Sequence, residues 1–218
     1  PIFLSFDSAD VWANQDIFKM ADGVMSEISG VPPDYFSEDG QLWGNPLYDW
    51  EVLAKSGFRW WVDRFRHNLT MYDMIRLDHF RGFSEYWAVP ASESTARNGV
   101  WKKTPGSELF TTVFDRLGEF SVIAEDLGNI DEKVKDLKKE FNFPGMKVLH
   151  FAFYGGTDHE FLPHNFTGTN CAVYTGTHDN DTTVGWYWSA TDDTRRFINH
   201  YLDTDGHEIN WKMIRLAL

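Results

Sequence analysis

Five short, largely apolar runs along the chain predict buried β-strands. They occupy residues 2–6, 71–80, 121–128, 146–153 and 171–179. Stretches with apolar residues at helical spacing lie among and after them, at 48–69, 107–118, 131–142 and 192–202. Strands that alternate with helices favour a parallel sheet, so the pattern predicts an α/β fold. The spacing of the runs separates a barrel from an open sheet only weakly.

Three of these strands change from apolar to charged residues where they end. The segments are RLDHF, AEDLG and TGTHD, which place Asp78, Glu125 and Asp179 at three strand ends. Arg76 lies two positions before Asp78, and side chains two apart on a strand point to the same side. One such acid is an ordinary strand-end residue, but three together favour a site, because ligands of parallel α/β folds bind outside the carboxyl ends of the strands.

Composition narrows the classes of partner. The formal net charge of −13 argues against nucleic acid or an anionic membrane as the main partner. The single cysteine, Cys171, excludes an internal disulfide framework, and no apolar run approaches the roughly 20 residues of a membrane helix. Aromatic residues make up 17% of the chain, enough for a large core and for clusters such as 35–43 and 186–188 that suit sugar ligands.

The absence of several sequence motifs argues against zinc, serine-nucleophile and phosphate-loop sites. The chain lacks HExxH, a Cys/His cluster, GxSxG and the phosphate loop GxxxxGK[ST], although a hard-cation site built from carboxylates stays open. The carboxylates at the strand ends suit glycosyl transfer, since in that reaction one carboxylate attacks the anomeric carbon and a second protonates the leaving oxygen. An arginine beside the nucleophile lowers its pKa, and burial keeps the acid protonated.

RLDHFRG, AEDLG and TGTHDNDT, in this order, resemble the catalytic motifs of the amylomaltases of glycoside hydrolase family 77. The segments 30–50, 98–106 and 145–153 are also similar to family segments. The resemblance implies a retaining 4-α-glucanotransferase on a (β/α)₈ TIM barrel. Residues 1–218 would form a single catalytic barrel segment, roughly strands 3 to 7, with an active-site loop insertion at 30–50 and a second insertion at 91–106.

The resemblance also implies roles for individual residues. Asp78 would be the nucleophile, Glu125 the general acid and base, and Asp179 the transition-state stabiliser, while Arg76 would orient and ionise Asp78. The remaining candidates are expected to contact sugar, and they are His79, His178, Trp43, Tyr35, Asp34, Asn45 and Phe151. Each has a structural alternative: a core position for the histidines and Phe151, a loop anchor for Trp43 and Tyr35, and a turn for Asp34 and Asn45.

The implied substrates are α-1,4-glucans such as maltooligosaccharides, amylose and starch, with no cofactor or metal. The implied location is the bacterial cytoplasm or a plastid. Two alternatives stay open: a hydrolase of α-amylase type, and a glycan-binding protein without activity. The chain begins in the strand-like PIFLSF without an initial Met and closes in the helical pattern NWKMIRLAL, so we expect it to be a segment of a longer enzyme.

Overall fold

The computed structural model contains both helices and strands, and it describes residues 1–34 and 37–218. These residues divide into two compact units, Pro1–Phe143 and Pro144–Leu218. The α/β class that the sequence predicts is confirmed. The prediction of one barrel segment over residues 1–218 stays a prediction.

The first unit contains the longer run of elements. In chain order these are α1 (Ala9–Ala13), β1 (Met20–Ala21), β2 (Val24–Met25), β3 (Glu27–Val31), β4 (Gln41–Pro46), α2 (Trp50–Lys55), α3 (Arg59–Leu69), β5 (Met74–Leu77), β6 (Glu85–Pro90), β7 (Val100–Lys103), α4 (Gly106–Leu117), β8 (Ser121–Ala124) and α5 (Glu132–Glu140). Short 3₁₀ helices lie at Gln15–Ile17 and Phe80–Phe83. Strands β5 and β8 pair in parallel, whereas β4, β3, β6 and β7 form an antiparallel sheet in that order.

The second unit has a pair of parallel strands and four helices in the part that the structure describes. Its elements are β9 (Gly145–Val148), α6 (Leu149–Ala152), a 3₁₀ helix at Pro163–Asn165, β10 (Cys171–Tyr174), α7 (Thr183–Ser189), α8 (Asp192–Leu202) and α9 (Ile209–Ala217). Strands β9 and β10 are in register from Gly145 opposite Cys171 to Val148 opposite Tyr174. Thr182 and Thr191 cap α7 and α8 by accepting backbone N–H bonds.

Each unit has its own apolar cluster. In the first, α3 buries Trp61, Val62 and Phe65, and α4 buries Leu109, Phe110 and Val113. The cluster of the second unit includes Leu149, Trp186, Tyr187, Ile198 and Met213. The sequence therefore correctly predicts that most phenylalanines serve the core, although one large core was expected. No helix in the described ranges combines the length and apolar character of a membrane span.

The predicted strand at 2–6 is wrong. Ile2, Phe3 and Leu4 are buried but belong to no strand, because side chains replace a ladder partner. The Tyr48 hydroxyl donates to the Ile2 carbonyl at 2.7 Å, and Asn45 Nδ2 donates to the Leu4 carbonyl at 3.0 Å. These bonds satisfy the backbone acceptors that burial would otherwise leave unpaired.

Other boundaries also differ from the prediction, since the strands expected over 71–80, 121–128 and 171–179 are the shorter Met74–Leu77, Ser121–Ala124 and Cys171–Tyr174. The helix expected over 48–69 is two helices, because Gly57 and Phe58 adopt left-handed backbone between them (φ +63° and +51°). The strand expected over 146–153 ends at Val148, and the chain turns directly into α6. The segments 30–50 and 91–106 contribute β4, β7 and the end of β3 to the antiparallel sheet, and their assignment as insertions stays a prediction.

Candidate active site

The parallel pair β5 and β8 places Asp78 and Glu125 side by side at two neighbouring strand ends. Leu77 is opposite Ala124, so the two acids are the next residue of each strand. The Glu125 N–H donates to the Leu77 carbonyl at 2.9 Å, and the Phe80 N–H donates to the Glu125 carbonyl at 3.0 Å. These bonds continue the pairing past the strands and fix the backbone of both acids.

Arg76 and Asp78 form an ion pair on one side of β5. Arg76 Nη1 donates to Asp78 Oδ1 at 2.6 Å, which confirms that the two side chains point the same way. The side chains are 30% and 41% exposed, so the ion pair is partly accessible to solvent. A charge-assisted hydrogen bond of this kind orients the carboxylate.

Glu125 has a different environment from Asp78. Its Oε2 accepts the His79 backbone N–H at 2.7 Å, and its Oε1 accepts the Leu127 N–H at 2.9 Å. Burial raises the pKa of Glu125 above its usual value and the Asp78 charge adds to the rise, whereas the two N–H bonds and the Arg76 charge oppose it. Two carboxyl groups with such different surroundings suit an ionised nucleophile and a protonated acid.

His79 links the Asp78–Glu125 pair to an aromatic side chain. Its backbone is left-handed (φ +49°), and its N–H donates to Glu125 Oε2. Its ring meets the Trp43 ring edge-on, with centroids 4.7 Å apart and planes at 81°. Burial lowers the pKa of His79 to about 4, with the Asp78 charge opposing this and the Arg81 charge assisting it. The imidazole is therefore neutral near pH 7.

Trp43 reaches His79 from a bulge in β4. Pairing between β3 and β4 shifts there, since Ile28 faces Pro46 while Gly30 faces Leu42. Trp43, Gly44 and Asn45 occupy the extra length, and Gly44 adopts φ +74°, which costs glycine nothing. Bulges commonly re-aim a side chain. The Trp43 ring is 37% exposed, and Nε1 donates to Gln41 Oε1 at 3.1 Å.

The other candidates from 30–50 have structural contacts. Asn45 Nδ2 holds the Leu4 carbonyl, and its Oδ1 accepts from the Ser29 hydroxyl at 3.2 Å. Asp34 closes a turn, because its Oδ1 accepts the Ser37 N–H at 2.9 Å. Sugar contacts by both side chains stay predictions. Tyr35 lies outside the residues that the structure describes.

Asp126, which we expect to be structural, also has a partner. Its carboxylate forms an ion pair with the Lys138 ammonium of α5.

Asp179 and His178 belong to the second unit, on the segment that joins β10 to α7. Their side chains are 75% and 73% exposed, and His178 Nε2 lies 3.5 Å from Asp179 Oδ1. The turn that carries them closes on itself: Asn180 Oδ1 accepts the Thr177 N–H at 2.8 Å, and the Asn180 N–H donates to the Thr177 carbonyl at 3.1 Å. The meeting of Asp179 with the other two acids stays a prediction.

Phe151, on α6 in the same unit, is 36% exposed rather than a core side chain.

His150 is a polar residue that the sequence analysis overlooked. It is the second residue of α6, two positions after β9 ends, in the otherwise apolar run MKVLHFAF, and its side chain is buried. Its backbone N–H donates to the Thr175 carbonyl at 3.1 Å, and its Nε2 lies 3.0 Å from Thr183 Oγ1. A histidine interrupting an apolar run at a strand end was the available signal.

No group of three or more His, Cys, Asp or Glu residues within 1–34 and 37–218 is arranged to hold a metal ion.

Comparison with known proteins identifies relatives over the whole chain. The model of glycoside hydrolase family 77, described as 4-alpha-glucanotransferase, matches residues 1–218. A 4-alpha-glucanotransferase of Synechocystis is 52% identical over 100% of this chain and 44% of its own length. A chloroplastic/amyloplastic 4-alpha-glucanotransferase of Oryza sativa is 46% identical over 100% of this chain and 37% of its own.

A solved structure agrees with these relatives. The amylomaltase from Streptococcus agalactiae, described in complex with acarbose, matches with a TM-score of 0.93 and 41% identity. The match covers 99% of this chain and 44% of that one. The chain thus spans less than half the length of the relatives it matches.

Proposed function

This chain belongs to glycoside hydrolase family 77, the 4-alpha-glucanotransferases, and from that premise we propose that its protein transfers α-1,4-glucan segments. The donor is an α-1,4-glucan, and the acceptor is the 4-hydroxyl of another glucan or of glucose. The observation that carries the proposal is the contrast between two adjacent acids. Asp78 is paired with Arg76, whereas the buried Glu125 has a raised pKa.

The reaction takes two displacements at one carbon. A carboxylate oxygen of Asp78 attacks the anomeric carbon, the bond from that carbon to the glycosidic oxygen breaks, and the glycosidic oxygen of the leaving glucan takes the proton of Glu125. The acceptor 4-hydroxyl then attacks the same carbon and gives its proton to Glu125, and the bond to Asp78 breaks. Two inversions retain the α configuration. We assign to Asp179 the stabilisation of the oxocarbenium-like transition states.

Each acid has the surroundings that its role needs. Arg76 orients the carboxylate of Asp78 through a hydrogen bond to Oδ1. Glu125 accepts one N–H on each oxygen, and a second lone pair on each oxygen can carry the catalytic proton. Its neutral form is favoured by burial and by the Asp78 charge. In the covalent intermediate Asp78 is an uncharged ester, so its charge no longer raises the pKa of Glu125. The lower pKa keeps Glu125 deprotonated, as its role as the base of the second displacement requires.

The substrate surface includes an aromatic platform. Trp43 packs against His79 with the two ring planes nearly perpendicular, and its side chain stays partly exposed, which suits stacking on glucose. The neutral His79, with His178, Tyr35, Asp34, Asn45 and Phe151, completes the set that we propose for sugar binding. Acarbose, a saccharide analogue, binds the Streptococcus agalactiae relative, and this supports a carbohydrate substrate here. Acceptor binding near Trp43 favours transfer over hydrolysis by displacing water.

We propose that the chain forms part of a (β/α)₈ barrel. It would contribute roughly strands 3 to 7 as a single catalytic segment. The parallel pairs β5 with β8 and β9 with β10 support this assignment, as does the likeness to the amylomaltase structure. The proposed location is the bacterial cytoplasm or a plastid, and the chloroplastic/amyloplastic relative supports the second.

Incubation of the intact protein with maltotriose tests transfer against its alternatives. We expect glucose together with oligomers longer than maltotriose. Release of reducing ends without longer products would indicate the hydrolase, and binding without any product would indicate a glycan-binding protein. Asp78→Asn should abolish turnover, because the amide cannot attack the anomeric carbon. The neighbouring Asp126→Asn is the matched control and should keep turnover near wild type, since Asp126 pairs with Lys138 instead.

A further inference from the structure

The segment that carries His178 and Asp179 has little packing of its own. Both side chains are about three-quarters exposed, 73% and 75%. Its internal bonds join Thr177 to Asn180 and the Asp179 N–H to Thr177 Oγ1 at 3.3 Å, so they shape the turn without attaching it to the unit. Its position must therefore be set at its two ends, near Thr175 and Thr183.

His150 bonds both of these ends. Its backbone N–H donates to the Thr175 carbonyl at 3.1 Å, immediately after β10. Its Nε2 lies 3.0 Å from the hydroxyl of Thr183, the first residue of α7. The side chain is 1% exposed, so water does not compete with these bonds. One residue of α6 thus bonds both the entry and the exit of the 175–183 segment.

The imidazole fits a slot made by this segment and α7. It stacks on the Trp186 ring with centroids 4.5 Å apart and planes at 6°. On the backbone side it meets Gly176, where an added Cβ would lie 2.6 Å from both Cε1 and Nδ1. Glycine is therefore required at 176, because any side chain would displace the ring or the segment.

The hydrogen bonds favour one form of the ring. Nδ1 is buried and has no hydrogen-bond partner. An unpaired acceptor costs less than an unpaired buried N–H, so we assign the proton to Nε2, which then donates to Thr183 Oγ1. Burial lowers the pKa of His150 to about 4, against the charge of Asp181, and this agrees with a neutral ring.

We propose that His150 is a positioning residue that holds the 175–183 segment, and with it Asp179, at the place where the reaction needs it. This inference rests on the proposed function, because Asp179 matters only if the protein transfers glucan. His150 acts through the Thr175 carbonyl and the Thr183 hydroxyl, without contact with substrate. A misplacement of about 1 Å in such a group can lower a rate about 100-fold.

Thr183 provides the cleanest test, because its hydroxyl can be removed without changing the core. Thr183→Val deletes the acceptor at constant shape, and Thr183→Ser is the matched control that keeps it. We expect Thr183→Val to lower kcat for maltotriose about 10- to 100-fold with a smaller change in KM. Thr183→Ser should stay within about threefold of wild type. A second pair of variants makes the same comparison at residue 150. His150→Asn is too short to reach Thr183 and should lower kcat, whereas the amide of His150→Gln can replace Nε2 and should preserve it.

Hydrogen exchange gives a readout that does not depend on activity. In Thr183→Val the amides of Thr177 and Asn180 should exchange at least about 10-fold faster, while the Trp186 amide inside α7 should keep its protection. Unchanged exchange at 177 and 180 would overturn the proposal whatever the kinetics show. Faster exchange with normal kcat would also overturn the proposal, because loosening the segment would then have no effect on the rate of the reaction. If the wild-type protein transfers no glucan, the proposed function fails, and exchange alone decides whether His150 holds the segment.

Discussion

Asp78 and Glu125 show how much of a site depends on the immediate surroundings of two similar side chains. The pairing of Arg76 with Asp78 follows from the two-residue period of a strand, and the ion pair confirms it. The bonds to Glu125 were not predictable in this way. One comes from His79, whose left-handed backbone is uncommon for a residue other than glycine and is not indicated by the period of a strand.

The raised pKa of Glu125 leads to a prediction about the dependence of activity on pH. Glu125 must be protonated to assist the leaving glucan, so kcat/KM for maltotriose should fall about tenfold per pH unit above its pKa. Because that pKa is raised, the fall begins at higher pH than for an ordinary glutamate. A maltosyl fluoride donor needs little acid assistance, so its kcat/KM should lack this alkaline limb.

Glu125→Gln is the control for that pH profile. The variant should lose about 10²- to 10⁴-fold in kcat/KM for maltotriose and far less for the fluoride. An alkaline limb of the same size with both donors would show that another group titrates.

At the scale of elements, the bulge in β4 depends on Gly44. Gly44→Ala should destabilise the fold by about 1–2 kcal/mol, because alanine pays the steric cost of left-handed backbone. An added Cβ meets nothing within 4 Å, so the loss has no contribution from a clash. Gly44→Asn is the matched variant and should lose less, since asparagine tolerates this conformation better. Chemical denaturation at pH 7 measures both, and equal stability of wild type and Gly44→Ala would contradict the role of the bulge.

The parallel strands were predictable, whereas the antiparallel sheet was not. β5, β8 and β10 are short and end in recognisable polar motifs, and β9 lies in a short apolar run. β4 gives a weaker signal, because its first three residues are exposed and a glycine interrupts it. For segment 2–6 the apolar pattern predicted a strand that the structure lacks. Its apolar residues are buried, and side-chain donors from Asn45 and Tyr48 bind its carbonyls. Local apolar content indicates burial and does not indicate a ladder partner.

At the scale of the whole molecule, much of the high aromatic content goes into packing. Phe110 is fully buried in the first unit and lies within 6.5 Å, between ring centroids, of Phe65, Phe80, Phe83, Phe141 and Phe143. These rings come from α3, from the Phe80–Phe83 helix and from the chain after α5. The sequence predicts this core use for most phenylalanines, but it cannot divide them between two units.

Phe110→Ala should therefore cost about 3–5 kcal/mol of unfolding free energy, because the cavity is surrounded by rings that cannot all relax into it. Phe110→Leu keeps more of the volume and should cost less. Val100→Ala removes a half-exposed side chain and serves as the surface control, with an expected change within about 0.5 kcal/mol. Thermal or chemical denaturation that ranks the three variants in any other order would contradict this view of the core.

The bulge that presents Trp43 also affects the colloidal behaviour of the protein. β4 and β7 are the two outer strands of the antiparallel sheet in the part of the chain that the structure describes. A regular outer strand is a template for pairing with another molecule, and proteins commonly block such pairing with bulges and lysines. β4 carries the bulge, and β7 carries Lys102 and Lys103. Straightening β4 would therefore do more than misdirect Trp43, since it would also open a path to aggregation.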